Sequence, residues 1–352
     1  MKKALIYTLY GNHNYGNKLQ NYAVQKILNN NKVEAYTVVL KKINDAILLK
    51  NVKKMIKFLI PKYNRQLKNE KERLENFLKF DLNINKVNYD DLNFRLYDYL
   101  VVGSDQVWNP YDQLSRQLVK TVNKIDNIKK ISFAASISAE DIPNDLLEEY
   151  KFQFNSMNYL SVREEKGKKL IERITKRKDI VVLLDPTLLL TADEWKILGT
   201  KPKNFNSKKY ILNYFLGDIS ANRKKEIEKV AKVNNCDIIN ILDKNEYYYT
   251  YGPNEFIWLI KNATLICTDS YHSCIFSFLF NRPFIVFDRE QEGINNMNSR
   301  LDTFLNMFNL ENRKFNNSIS HDLLRTDYEE AYKILNKERE KSNKFIKKGL
   351  EI

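Results

Sequence analysis

Cysteine and histidine are scarce in this chain, and long apolar runs are absent. Three cysteines, Cys236, Cys267 and Cys274, make an odd number with no CxxC spacing. That excludes a disulfide framework and a structural zinc site, and fits a reducing compartment. Three histidines in 352 residues leave no His-rich metal centre, so no metal site is expected. No stretch approaches the roughly 18 apolar residues of a membrane span. Lys2 and Lys3 precede only a strand-length apolar run, Ala4 to Leu9, so no secretory signal is expected and the chain reads as cytoplasmic. Alanine and glycine are sparse, whereas Lys, Asn and Ile abound. This bias accounts for part of the formal net charge of +14. The charge is also uneven: residues 41–80 hold twelve Lys/Arg and four Asp/Glu, +8 of the total. No nucleic-acid partner is expected, because the excess sits on one helical stretch and no recognised binding module accompanies it.

The length is about that of two domains, and at 43% hydrophobic residues each half can bury a core. Short apolar runs alternate with helical patterns. Strands are expected at Ala4–Tyr10, Val33–Leu40, Tyr97–Val102, Lys130–Ala135, Tyr159–Arg163 and Ile180–Leu183. After the polar, Pro-containing stretch Lys201–Lys209 the pattern restarts. Strands at Tyr210–Leu216, Asp237–Leu242, Thr264–Thr268 and Pro283–Phe287 alternate with helices at Asn222–Asn234, Glu255–Asn262 and His272–Asn281. The expected fold is α/β, two Rossmann-like domains facing a cleft. The first spans 1–200 with a basic helical insertion at 41–95, and the second spans 201–325. A terminal helix over 326–352 packs back on the first. Open parallel sheets bind ligands beyond the carboxyl ends of their strands, so the polar motifs there are the candidates.

Four motifs stand at such ends. Gly11 to Tyr22 follows the first strand and opens a helix. Asn17-Lys18 replaces the Lys-Ser/Thr of a nucleotide P-loop, whereas Asn14, Asn17, Gln20 and Asn21 suit sugar hydroxyls, or simply cap the helix. Val101 to Pro110 carries Ser104, Asp105 and Gln106, with Trp108 either offering a flat face to a sugar ring or packing in the core. Arg163 ends an apolar strand, where a guanidinium holds either a phosphate or carboxylate of a ligand or a structural acid. Leu265 to Cys274 runs from strand to helix through Asp269 and Ser270. It sets His272 among the free N–H groups and positive dipole end of a helix start.

In this order, and together with Ser132–Ser138, Asp185-Pro-Thr187 and Arg289, these motifs resemble the polysaccharide pyruvyl transferase family over most of the chain. The resemblance implies a GT-B-like fold and transfer of an enolpyruvyl unit from phosphoenolpyruvate onto two hydroxyls of one sugar, giving a cyclic ketal. Phosphoenolpyruvate is then a co-substrate and no cofactor is needed. The resemblance places Arg163 and His272 at the donor site. Many members carry Arg where this chain has Ser270, so one donor cation is missing; either Arg289 or Arg300 replaces it, or the donor differs. On chemical grounds His272 is the expected general acid, and Asp105 the base for the hydroxyls. The acceptor is expected to be a sugar or lipid-linked glycan at the inner membrane face. Ile43–Leu59 fits this, since its apolar residues recur at helical spacing between Lys50, Lys53, Lys54 and Lys57, as in a basic amphipathic helix on anionic lipid. An ordinary surface helix has the same pattern. The alternative function on the same scaffold is a GT-B glycosyltransferase with a nucleotide-sugar donor.

Overall fold

The structure, a computed structural model, describes residues 1–11, 13–40, 61–289 and 299–352. The basic stretch Ile43–Leu59 therefore lies outside the described residues.

The first sheet is wholly parallel, in the order β3-β2-β1-β4-β5: β1 (Lys2–Tyr7), β2 (Val33–Val39), β3 (Lys86–Asn88), β4 (Tyr99–Val102) and β5 (Lys129–Ser132). Ala4 pairs with Ala35 on one side and Tyr99 on the other. Strands covered on both faces read as continuous apolar runs, which is why Ala4–Tyr7 and Tyr99–Val102 are buried throughout. The connecting helices are α1 (Tyr15–Asn30), α2 (Pro61–Phe80) and α3 (Gln113–Asn123). After α4 (Leu147–Asn155), the short strands β6 (Ser161–Val162) and β7 (Val181–Val182) form a pair flanking α5 (Glu165–Thr175). Bridges from Ala135 to Asp105 and to Val162 join that pair to the end of the first sheet.

After α6 (Ala192–Leu198) comes the second sheet, order β11-β10-β8-β9. Its elements are β8 (Tyr210–Tyr214), α7 (Ala221–Asn234), β9 (Asp237–Asn240), α8 (Pro253–Asn262), β10 (Leu265–Thr268), α9 (Tyr271–Leu279) and β11 (Phe284–Val286). The fold is thus α/β, with two Rossmann-like units facing a cleft. In each sheet the strand order reverses once, between β1 and β4 and between β8 and β10. Ligand crevices form at such reversals. The loops after these four strands are those that carry His13–Asn14, Ser104–Gln106, Phe215–Gly217 and Asp269–Ser270.

The two units share one apolar core. Tyr15 at the start of α1 stacks on Phe256 of α8, ring centroids 4.2 Å apart, and Trp195 meets Phe276 at 4.9 Å. After α10 (Ser299–Met307), the terminal helix α11 (Glu329–Leu350) spans both units. The Tyr332 hydroxyl donates to the Phe278 carbonyl at 2.8 Å, while Arg339 donates to the carbonyls of Leu188 and Leu190. The Tyr99 hydroxyl reaches the Leu350 carbonyl. Apolar residues at Ala331, Leu335, Ile346 and Leu350 form its buried stripe.

Helix α2 bolts the units together from the other side. Arg73 is 1% exposed, and its guanidinium lies 4.5, 4.8 and 4.8 Å from the rings of Tyr15, Phe77 and Tyr249. It donates to the Tyr15 hydroxyl at 2.7 Å and the Tyr249 carbonyl at 2.8 Å, and at 3.3 Å to the carbonyls of Tyr251 and His13. Removing that donor leaves several buried acceptors unmade, each expensive. Arg73→Leu should therefore lower unfolding free energy by at least about 2 kcal/mol, read as a shift in urea midpoint. The exposed Lys79→Leu should leave the midpoint nearly unchanged.

Candidate active site

The cleft between the units holds a cavity of about 140 Å³ lined by Asn14, Asn17, Asp105, Gln106, Leu216, Asp269, Ser270, Tyr271, His272, Arg289, Arg300 and Leu301. Each comes from a strand end or helix start at the two reversals, or from the segments after β11. Asn14 caps α1, its Oδ1 accepting from the N–H groups of Gly16 at 2.8 Å and Asn17 at 3.4 Å. Asp269 fastens the loop after β8, accepting from the N–H groups of Leu216 and Gly217, and holds Arg289 through Nε at 3.0 Å. Ser270 precedes α9 without a side-chain cap, and Ser270, Tyr271 and His272 at this helix start line the cavity.

Beneath the floor lies a buried charge cluster. Asp185 is fully buried, and its Oδ2 accepts from Arg163 Nη1 at 2.6 Å and Ser104 Oγ at 3.4 Å. Its Oδ1 accepts from the Thr187 N–H and hydroxyl at 2.9 and 2.6 Å. His272 Nε2 lies 3.5 Å from Oδ2, an ion-pair distance without a formed hydrogen bond. Burial alone would raise the Asp185 pKa, but the charges of His272 and Arg163 and the Thr187 bond hold it well below the usual carboxylate range. Arg163 also reaches Asp105 Oδ1 at 3.4 Å, and its guanidinium sits 4.6 Å from the Tyr271 ring. Burial disfavours its cation, but Asp185 and then Tyr271 and Asp105 outweigh this and raise its pKa.

Arg300 sits above this cluster with less compensation. Its side chain is 11% exposed, and among the described residues the carboxylate it pairs with, Asp105, is 3.9 Å away. Burial first, and then repulsion from Arg163, bring its pKa down to about 10. It stays cationic at neutral pH, so an arriving anion would relieve that cost.

Two glycines fix the geometry. Gly16 packs on the His272 imidazole so closely that a Cβ there would lie 2.2 Å from Nδ1. Gly103, at φ +109°, lets the chain leave β4 within 2.7 Å of the Phe133 carbonyl, measured from an added Cβ. Two residues on, Asp105 takes φ 71°, a costly conformation for a residue with a Cβ. It aims Asp105 back at Arg163.

Residues 14–291 match the family model of polysaccharide pyruvyl transferase, a span that takes in both walls of the cleft from Asn14 to Arg289. The chain belongs to this family. Among curated proteins none matches it. Three solved structures of related shape are UDP-GlcNAc 2-epimerase from Methanocaldococcus jannaschii, the Neisseria meningitidis UDP-GlcNAc 2-epimerase bound to UDP-GlcNAc, and the E. coli ADP-heptose LPS heptosyltransferase II. The first is 14% identical, covering 96% of this chain and 92% of its own, with a TM-score of 0.49. The second is 10% identical, covering 99% of each chain, with a TM-score of 0.47. The third is 11% identical, covering 97% of this chain and 99% of its own, with a TM-score of 0.38.

For this pyruvyl transferase family member, the expected site residues divide into two sets. Asn14, Asn17, Asp105, Gln106, Ser270, His272, Arg289 and Arg300 line the cavity. The others do not, and four corrections follow. Trp108 is fully buried, 5.0 Å from Phe154, because its backbone N–H bonds the Ser136 carbonyl and turns the chain inward after Asp105. It presents no face to a sugar. Gln20 and Asn21 are buried on the sheet-facing side of α1. Gln20 donates to Thr8 Oγ1 at 2.8 Å, and Asn21 accepts from Thr37 Oγ1 at 2.8 Å. Ser104 is buried, donating to the Ala134 carbonyl. Arg163 is occupied by Asp185 and Asp105, as a fully buried cation must be, so it acts on the cavity from below.

Asp185, Tyr271 and Gly16 are the residues that reading by site chemistry passed over. The signal was there for Asp185, an acid followed by proline at a strand end. Nothing local marked Gly16, whose role depends on a ring 256 positions away.

Gly16→Ala should drive a methyl into His272 and shift the imidazole. A displacement of that order costs about 10²-fold in turnover, with little change in the circular dichroism spectrum. Asp185→Ala would leave buried cations without their main counter-charge, a loss of about 3–5 kcal/mol, measurable by denaturant titration. Because the folded carboxyl has a depressed pKa, its stabilisation is present above an ordinary carboxyl pKa of about 4 and is lost only in strong acid.

Proposed function

We propose that the protein transfers the enolpyruvyl unit of phosphoenolpyruvate onto two hydroxyls of one sugar in a cell-surface polysaccharide or its lipid-linked precursor, forming a cyclic pyruvyl ketal. One observation carries this: within the family assignment, the cleft gathers Arg289, Arg300 and His272 at the start of α9, and among the described residues the carboxylates lining it are Asp105 and Asp269, the latter paired with Arg289. A small dianion with a carboxylate and a phosphate fits that charge set. Arg289 and Arg300 stand where the Arg absent at Ser270 would have contributed charge.

His272 has Asp185 at its Nε2 side and Gly16 at its Nδ1 edge. In this reading the protonated imidazole, steadied by Asp185, delivers a proton to the methylene carbon of phosphoenolpyruvate. A sugar hydroxyl adds to the neighbouring carbon and gives up its proton to Asp105. A second hydroxyl then displaces phosphate and closes the ketal, losing its own proton. One phosphoenolpyruvate and one diol thus give one ketal and one inorganic phosphate, with no metal in the scheme. Asn14, Asn17 and Gln106 supply amide donors and acceptors for the acceptor hydroxyls. The acceptor approaches from the cytoplasmic side, and the basic stretch 43–59 provides peripheral attraction to anionic lipid. Among the described residues no helix is long and apolar enough to cross a membrane.

The test is incubation with phosphoenolpyruvate and candidate glycans while phosphate release and acceptor mass are followed. Coupled phosphate release and ketal formation supports the reading. Turnover of a nucleotide sugar without any phosphoenolpyruvate requirement would replace it with the glycosyltransferase. His272→Ala should lower turnover by roughly 10²-fold or more. Arg300→Gln should chiefly weaken donor binding. In the wild type, donor affinity should fall towards strong alkali, because burial and then repulsion from Arg163 lower the Arg300 pKa.

A further inference from the structure

The cavity at the charge cluster is small, about 140 Å³. A phosphoenolpyruvate molecule in it leaves little space for a glycan. A second cavity of about 800 Å³ opens at the carboxyl ends of β8 and β9, beside the start of α7. The two are separated by one ridge of backbone: Leu216 lines the first, and its neighbours Phe215 and Gly217 line the second. Leu216 is itself 43% exposed at that ridge, between a polar hollow and one whose charged and amide groups stand among Phe215, Ile219, Ile227, Ile238 and Leu242.

The second cavity has the opposite electrostatic character. Asp218, Glu228 and Asp243 line it against a single cation, Lys224. Such a wall repels phosphate and carboxylate ligands, so neither phosphoenolpyruvate nor a nucleoside diphosphate suits it. Its fittings suit hydroxyls. Carboxylates accept from them, and amides both donate and accept. Asn213 lines the floor, nine-tenths buried; its Nδ2 donates to Asn240 Oδ1 at 2.9 Å, and its Oδ1 has no partner among the described residues. A buried amide oxygen left unpaired costs free energy unless a ligand completes it. Phe215, half-buried and braced 5.3 Å from Phe287, supplies the apolar surface against which a pyranose ring packs. The volume lies in the range of ligand sites.

We propose that this cavity is a glycan subsite that holds uncharged sugar residues of the acceptor chain, next to the residue whose hydroxyls enter the active site over Leu216. The proposal rests on the transferase reading for its choice of an acceptor glycan, but its binding does not depend on turnover. It makes the enzyme a reader of glycan sequence: the flanking residues are neutral hexoses or N-acetylhexosamines, and uronic acids or phosphate-bearing units are rejected.

The experiment measures ligand binding by saturation-transfer NMR without phosphoenolpyruvate. The probes are maltotetraose, chitotetraose, β-galactotetraose, tetragalacturonate and uridine diphosphate. The variant is Asp218→Lys with Asp243→Lys, both exposed positions outside the catalytic cleft. At least one neutral tetrasaccharide should bind the wild type, with tetragalacturonate and uridine diphosphate weaker by about tenfold or more. The double variant should lose that neutral binding by a similar factor while inorganic phosphate still protects the protein thermally to the same extent. Three results would overturn the proposal: no neutral probe binding, neutral binding unchanged in the variant, or uridine diphosphate binding best. If neutral glycans bind here yet phosphoenolpyruvate yields no phosphate, the transfer chemistry fails and the subsite stands. If transfer proceeds and the variant behaves as wild type, the reverse holds.

Discussion

The Asp185 carboxylate stands in the interior with a guanidinium, a hydroxyl pair, a backbone N–H and an imidazole around it. A buried charge of this kind persists only when its partners are all in place. Those partners come from four separate stretches: Ser104 after β4, Arg163 after β6, Thr187 beside Asp185 itself, and His272 at the start of α9. The carboxylate therefore does more than stabilise. It fixes where helix α9 of the second unit must sit relative to the first unit's strands. Asp105, drawn to the same Arg163, ties the loop after β4 to the set a second time.

The contacts that hold the units at that distance are apolar and cationic rather than loose. Tyr15 on Phe256, Trp195 on Phe276, Arg73 among three rings and the two-ended seat of α11 surround the cluster on several sides. Rigid support keeps His272 at the cavity wall with Asp185 at its Nε2 side. The same rigidity places the first turn of α1 on the imidazole, where only a glycine fits. Charge is then partitioned between neighbouring hollows. Cations collect where Arg289 and Arg300 line the cleft, and carboxylates collect beyond Leu216, so two hollows of unlike charge lie side by side.

Much of this was legible in the residues. Alternating apolar runs and helical spacings dictate parallel strands, because a strand buried on both faces has no polar side to show. Polar residues after such strands must lie at the ligand-binding edge, which fixes Asn14, Asp105, Ser270 and His272 as neighbours of a cleft. Serine in place of the family's arginine before His272 was also visible. What the sequence left open was the direction of each side chain. Trp108, Gln20 and Asn21 belong to the same motifs as Asp105 and Asn17, and each turned inward. One residue of backbone rotation, or one helical step of about 100°, separates a cavity-lining side chain from a core one.

The sequence by itself therefore determined the class of fold, the family and the loops that meet at the cleft, since these follow from local periodicity and motif order. Only the tertiary structure decided which members of those motifs face the cavity, that Arg163 is spent on Asp185 and Asp105, and that Gly16 must yield space to His272. Those are facts about distances between residues far apart in the chain. Local chemistry cannot specify them, because burial and charge compensation are settled only when the two units close on one another.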